Sequence, residues 1–120
     1  MKIAISASGT NKDSLLDVRF GRCEYFQIYN IESGEVLVAK NEGLDCSGGA
    51  GIIASQQLID QGVNVIITGH LGPNAFEIIE KAKIKAYKCN EVIIEVVLEK
   101  YKNNELEEIK ISGEAHKGMR

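Results

Sequence analysis

Alternation constrains this chain more than any other feature. From Ser47 onward, short apolar runs alternate with helical patterns, and glycine or proline punctuates the junctions. Ser47-Gly48-Gly49-Ala50-Gly51 opens a helix to about Gln61, with Gly62 placed to cap its C-terminus. Val63–Thr68 follows as a short apolar strand of the buried, parallel kind. Gly72-Pro73 starts the next helix, where proline is tolerated because the first N–H has no intrahelical partner. Glu77 and Lys81 sit four residues apart on its exposed face. Ile84–Lys88 is another strand. Asn90 is then the expected cap of a helix that carries Glu91, Glu95, Glu99 and Lys102 on one face. Ile93, Ile94, Val97, Leu98 and Tyr101 lie on the other. Val92–Val97 has strand propensity, but the 3.6-residue period decides for helix.

The first half is strand-rich. Lys2–Ala7 alternates apolar and polar residues and reads as a strand, followed by turn material from Ser8 to Asp13. A loop or short helix through Phe20-Gly21-Arg22 leads to two strands, Glu24–Ile31 and Glu35–Ala39. The short Glu32-Ser33-Gly34 connection makes them an antiparallel hairpin. Alternation with short loops implies parallel strands and right-handed crossovers, to which the hairpin adds an antiparallel member. The expected fold is a three-layer α/β domain with a mixed, mainly parallel, five-stranded sheet and helices on both faces. A further short strand near Glu108–Ile111 is an option. Residues 1–111 read as a single domain and 112–120 as a polar, fraying tail.

Composition excludes several function classes. The chain has 120 residues, 44% hydrophobic and 26% charged, as expected of a soluble globular domain. Fourteen basic against 17 acidic residues leave a net charge of −3, which argues against nonspecific nucleic-acid binding. No apolar run approaches the roughly 18 residues needed to span a bilayer. The start is too short and too alternating for a secretory signal, so the expected location is cytoplasmic. Cys23, Cys46 and Cys89 are odd in number and widely spaced, which points to reduced thiols rather than a disulfide scaffold.

Topology directs attention to one edge of the sheet. If the strands at Val63 and Ile84 run parallel to the first, Cys23, Cys46, His70 and Cys89 all fall at the edge where that strand ends. Open α/β sheets bind ligands outside the carboxyl ends of their strands. The same edge carries two helix starts, at Gly48, Gly49 and Gly51 and at Gly72-Pro73-Asn74. Their N–H groups and positive dipole ends attract anions. Lys12, Arg19 and Arg22 sit in bordering loops. Thiols, an imidazole, arginines and helix starts together describe a site for an anionic, thiophilic object. A metal–sulfur cluster fits that better than a bare phosphate. The expected metal ligands are Cys46, Cys23, Cys89 and His70, and the expected binding set adds Gly48, Gly49, Gly51, Gly72, Asn74 and Arg22.

Plainer roles stand beside these. Cys23 and Cys89 also read as small buried hydrophobes, whereas Cys46 lies in a polar glycine loop, a poor place for a core residue. His70 divides evenly between ligand and ordinary loop residue, and His116 in the tail reads as incidental. The glycine loop matches neither a P-loop nor a dinucleotide fingerprint. No Cys-x-x-Cys or His-Glu-x-x-His motif occurs. A hydrolytic Cys46–His70 dyad lacks an orienting carboxylate, so binding rather than catalysis is expected.

Four segments carry a resemblance. Arg19-Phe20-Gly21-Arg22-Cys23-Glu24-Tyr25-Phe26, the Gly49-Ala50-Gly51 helix start, Gly62-Val63 through Thr68-Gly69, and Gly72-Pro73-Asn74-Ala75-Phe76 occur in order. Together they resemble the dinitrogenase iron–molybdenum cofactor biosynthesis proteins, the NifX-like accessory proteins and the C-terminal domain of NifB, over roughly residues 1–101. The resemblance implies a ribonuclease H-like fold without nuclease activity. It also implies a carrier or binder of iron–sulfur or iron–molybdenum type clusters, working with donor and acceptor proteins as a monomer or weak homodimer. Many relatives place a histidine just before the Gly-Ala-Gly loop. Here Ser47, Gly48 and Gly49 occupy that stretch, and Cys46 is the nearest soft ligand. The alternative is a small-molecule or nucleotide-binding regulatory module that uses only the backbone anion sites.

Overall fold

The computed structural model describes residues 1–110. Its strands are β1 (Lys2–Ala7), β2 (Tyr25–Asn30), β3 (Val36–Lys40), β4 (Val65–Thr68), β5 (Lys85–Lys88) and β6 (Glu107–Glu108). They form one sheet in the order β3-β2-β1-β4-β5-β6. β2 is antiparallel to both β1 and β3, whereas β4 is parallel to β1 and β5. The helices are α1 (Ala50–Asp60), α2 (Pro73–Lys81) and α3 (Ile94–Lys102), and a 3-10 turn spans Phe20–Arg22.

Period-2 alternation in β1 has a direct structural consequence, because successive side chains enter opposite cores. Ala4 joins Phe26, Ile28, Ile66 and Ala86 beneath Ala54 and Leu58 of α1 and Ala75 and Ile79 of α2. Ile3, Ile5 and Ala7 join Tyr29, Val65 and Ile67 against Ile94, Val97 and Leu98 of α3. The sheet is thus covered on both faces, in three layers. Ile3, Ile5, Ile66 and Ile67 have no exposed surface, and burying such a side chain contributes about 1.5–3 kcal/mol. Buried polar groups are paired: Ser6 Oγ donates to the Asp17 carbonyl at 2.6 Å and accepts from the Thr68 hydroxyl at 2.7 Å. Gln27 Nε2 donates to the carbonyls of Gly9 and Asn11, both at 2.9 Å, and so anchors the turn after β1.

Three expectations need correction. The sheet has six strands, not five, and is not mainly parallel: β6 adds antiparallel to β5 through Tyr87–Glu108 and Lys88–Glu107, so three of the five strand pairings are antiparallel. This short strand sits between two apolar anchors: Leu106 packs into the α3-side core and Ile109 into the α1/α2-side core. Asn90 does not cap α3, which starts at Ile94 after Ile93. The β-branched Val92–Ile93 segment is held extended by the Leu15–Leu16 loop. Leu15 bridges Ile93, and the Leu16 N–H donates to the Val92 carbonyl at 2.9 Å. Tertiary pairing there overrides the helical period. The first N–H groups of α3 then donate to the Ser14 and Lys12 carbonyls. The expected tail, 112–120, and His116 lie outside the described residues.

Candidate functional site

β1, β3, β4 and β5 end at one edge of the sheet, and the segment Val18–Arg22 is fastened across it. Arg19 forms a parallel bridge with His70 just after β4. Gly69 permits this approach, since a Cβ there would lie 2.4 Å from Val18 Cβ. Phe20 is buried against Phe26 at a ring separation of 5.4 Å. Gly21 abuts the first turn of α1: a Cβ on it would stand 2.9 Å from the Gly51 nitrogen. Gly51 in turn faces Ala75 of α2, where a Cβ would meet Ala75 Cβ at 3.3 Å. Small residues therefore bring the 3-10 turn and the starts of α1 and α2 close together.

Between these parts lies a cavity of about 430 Å³, with Arg22, Gly49, Gly51, His70, Gly72 and Asn74 in its lining. Among the described residues, no acidic side chain lines it. Both helices enter it without a side-chain cap, at Gly49 (φ +72°) and at Gly72. Their first-turn N–H groups therefore present partial positive charge to the space between them. Arg22 is exposed and forms no ion pair among the described residues. It donates from Nη1 to the Cys46 carbonyl at 2.7 Å and to that of Leu44 at 3.3 Å. Arg19 instead is paired with Asp17, at 3.0 and 3.1 Å. Exposed Val18 and Ile52 add apolar rim. His70 also borders a second cavity of about 520 Å³ that Lys88, Glu107, Glu108 and Lys110 help to line.

The cysteines divide. Cys46 is half-buried, in a loop tied to the cavity wall through Arg22, but neither it nor Gly48 lines the cavity. Cys23 is fully buried in the α1/α2-side core, its thiol 3.4 Å from the Phe20 carbonyl and 3.7 Å from Asn41 Nδ2. Burial, aided by the charge of Asp17, pushes its thiol up to about 12. Cys89 is buried in the opposite, α3-side core, and burial raises its thiol as well. Among the described residues, no group of three or more His, Cys, Asp and Glu side chains is placed to hold a metal ion. Four expected ligands thus share an edge without sharing a centre.

Sequence reasoning missed Asn41, the knot beneath the Cys46 loop. Nine-tenths buried or more, it donates to the carbonyls of Gly21 (3.1 Å) and Cys23 (2.9 Å) and accepts from the Gly43 N–H. A lone polar residue after a strand gives no signal of this. Gly43, also missed, lies under Ala50, whose carbonyl oxygen a Cβ would meet at 2.4 Å.

The comparisons agree with the geometry. The dinitrogenase iron–molybdenum cofactor family matches residues 1–104. An uncharacterized protein of Methanocaldococcus jannaschii, MJ0580, is 31% identical over 110 residues, 89% of this chain and 90% of that one. The apo form of the orange protein from Desulfovibrio gigas superposes with a TM-score of 0.86 at 30% identity, covering 91% of this chain and 92% of that one. A candidate NifB protein from Thermotoga gives 0.79 at 34%, covering 89% and 91%. With a family match over nearly its whole described length, this chain belongs to the dinitrogenase iron–molybdenum cofactor family.

Proposed function

We propose that this protein is a small non-catalytic carrier that binds a preformed iron–sulfur or iron–molybdenum type cluster and passes it between donor and acceptor proteins. The observation that carries this reading is the cavity between two uncapped helix starts, with Arg22 on its wall and no acidic side chain among the described residues that line it. Such clusters are anionic, and backbone N–H groups with a guanidinium offset that charge without covalent bonds. Cys46 on the tethered loop and His70 at the rim supply soft donors. The dispersed thiols support transient holding, since a closed cage of ligands would resist transfer. Cys23 and Cys89 then serve packing, as their burial favours the neutral thiol. The same reading takes residues 1–111 as one cofactor-binding domain working in the cytoplasm. The hairpin beside parallel β1, β4 and β5 supports the ribonuclease H-like description.

Anaerobic incubation with iron and sulfide, desalting and an iron count test this directly. Retained iron with sulfur-to-iron charge-transfer absorbance is expected, and Cys46→Ser lowers retention about tenfold. Unchanged retention in Cys46→Ser removes that residue from the site, and a colourless, metal-free wild type removes the carrier reading. A second reading, a regulatory module for a phosphorylated small molecule, is favoured by the fact that no thiol lines the cavity itself. It requires thermal stabilisation by phosphorylated metabolites that survives replacement of Cys23, Cys46 and Cys89.

A further inference from the structure

Arg22 belongs to two parts of the molecule at once. It lines the cavity between α1 and α2, and among the described residues it is the only side chain that hydrogen-bonds the stretch from Leu44 to Gly48. The start of that loop is firmly held, by buried Asn41 and by buried Gln57 of α1. Gln57 Nε2 donates to the Lys40 carbonyl at 2.7 Å, and its Oε1 accepts from the Glu42 N–H at 2.9 Å. Beyond Gly43 the backbone adds two turn bonds, from the Leu44 N–H to the Asn41 carbonyl (3.2 Å) and from the Cys46 N–H to the Gly43 carbonyl (3.1 Å). Gly48 and Gly49 then lead into α1 through open space, since a Cβ on either would meet nothing within 4 Å. The loop that carries Cys46 therefore depends on Arg22 at its middle. Nη1 makes both loop bonds. Nε and Nη2, with three further N–H groups, have no acceptor among the described residues.

We propose that Arg22 is a positioning residue that couples an anion in the cavity to the loop carrying Cys46. The anion takes the Nε and Nη2 edge of the guanidinium, while Nη1 keeps the Leu44 and Cys46 carbonyls. Filling the cavity thereby tightens the loop. This rests on the cavity taking an anion, which the carrier reading and the regulatory reading share. The guanidinium is planar and stiff, so a bidentate, charge-assisted contact that fixes one edge also fixes the other. A simple tether would hold the loop equally well with the cavity empty or filled. Lysine would be such a tether, because its ammonium is a point charge on a flexible stem and has no second edge. The coupling is reciprocal: the fastened loop strengthens anion binding by the same factor as the anion strengthens the loop. Cys46, which does not itself line the cavity, is thus brought to order after the anion has entered.

Alkylation of Cys46 by iodoacetamide in the full chain, followed by peptide mass spectrometry, tests this with inorganic phosphate as the anion. Sodium chloride at equal ionic strength is the control, and buried Cys23 and Cys89 are slow internal references. Phosphate binding is measured separately by phosphorus NMR titration. Saturating phosphate is expected to slow Cys46 alkylation at least about fivefold, the lower end of typical coupling between sites. Amide exchange at Leu44 and Cys46 slows with it. Arg22→Lys binds phosphate more weakly and, compared at matched saturation, gives less than about twofold protection with an unchanged circular dichroism spectrum. Phosphate that binds the wild type but leaves Cys46 alkylation and loop exchange unchanged overturns the coupling, and leaves the carrier reading to its iron count. Equal protection in Arg22→Lys overturns it too, as does a wild type that binds no phosphate. Protection that is lost in Arg22→Lys, in a protein that retains no iron, supports the coupling while removing the carrier reading.

Discussion

Gly21 and Gly48 look interchangeable on paper, yet the structure gives them opposite sensitivities. A methyl group on Gly21 would press on the backbone of α1 at 2.9 Å, whereas Gly48 has nothing within 4 Å. Gly21→Ala is expected to cost about 1–3 kcal/mol in urea unfolding, and Gly48→Ala to stay within about 0.5 kcal/mol. Cys23 provides a second test. Its folded thiol is raised from 9.0 to about 12, so its contribution is complete below pH 9. Above that the unfolded thiol ionises first, and stability falls until the pH passes about 12. The slope from this residue is about 1.4 kcal/mol per pH unit in that window. Unfolding measured from pH 8 to 11 is expected to show a steeper loss in the wild type than in Cys23→Ala. That Cys46 stays out of the core was readable from its polar loop, and the structure places it half-buried, with its carbonyl held by Arg22 of the cavity wall. Burial was already the plainer reading of Cys23 and Cys89, but that they turn to opposite faces was not readable, because the side a loop residue turns to depends on what packs above it.

Helix boundaries separate local from tertiary control. α1 ends where local chemistry says it should: Gly62 takes φ +73° and its N–H donates to the Ile59 carbonyl. The position is otherwise open, so Gly62→Ala isolates the left-handed backbone penalty, about 1–2 kcal/mol in thermal or urea unfolding. The start of α3 follows distant chain instead. Had Asn90 capped it, Asn90→Ala would cost about 1 kcal/mol. With the Lys12 and Ser14 carbonyls meeting the first turn, the same change is expected to cost less than about 0.5 kcal/mol. A cost near that of a lost cap would contradict this boundary. β6 is a parallel case, since two glutamates carry no strand signal and pair only because Leu106 and Ile109 are drawn into the two cores.

For the whole molecule, the sheet order implies a gradient of stability. β1 is flanked by strands on both sides and buried on both faces, whereas β6 holds two residues at an edge. Native-state amide exchange is expected to find the β1 and β4 amides opening only with global unfolding, and those of β6 at much lower free energy. Equal protection would show that the core is not organised around β1. The sequence by itself determined the succession of elements, the pairing sense of the hairpin and the gathering of helix starts at one edge. Those features follow from periodicity and from glycine and proline, which act within a few residues. Only the tertiary structure decided which thiols reach solvent, where α3 begins, that a sixth strand joins, and that Arg22 holds the Cys46 loop. Each depends on contacts between residues far apart in the chain, where packing and hydrogen-bond satisfaction outweigh the modest preferences of any single segment.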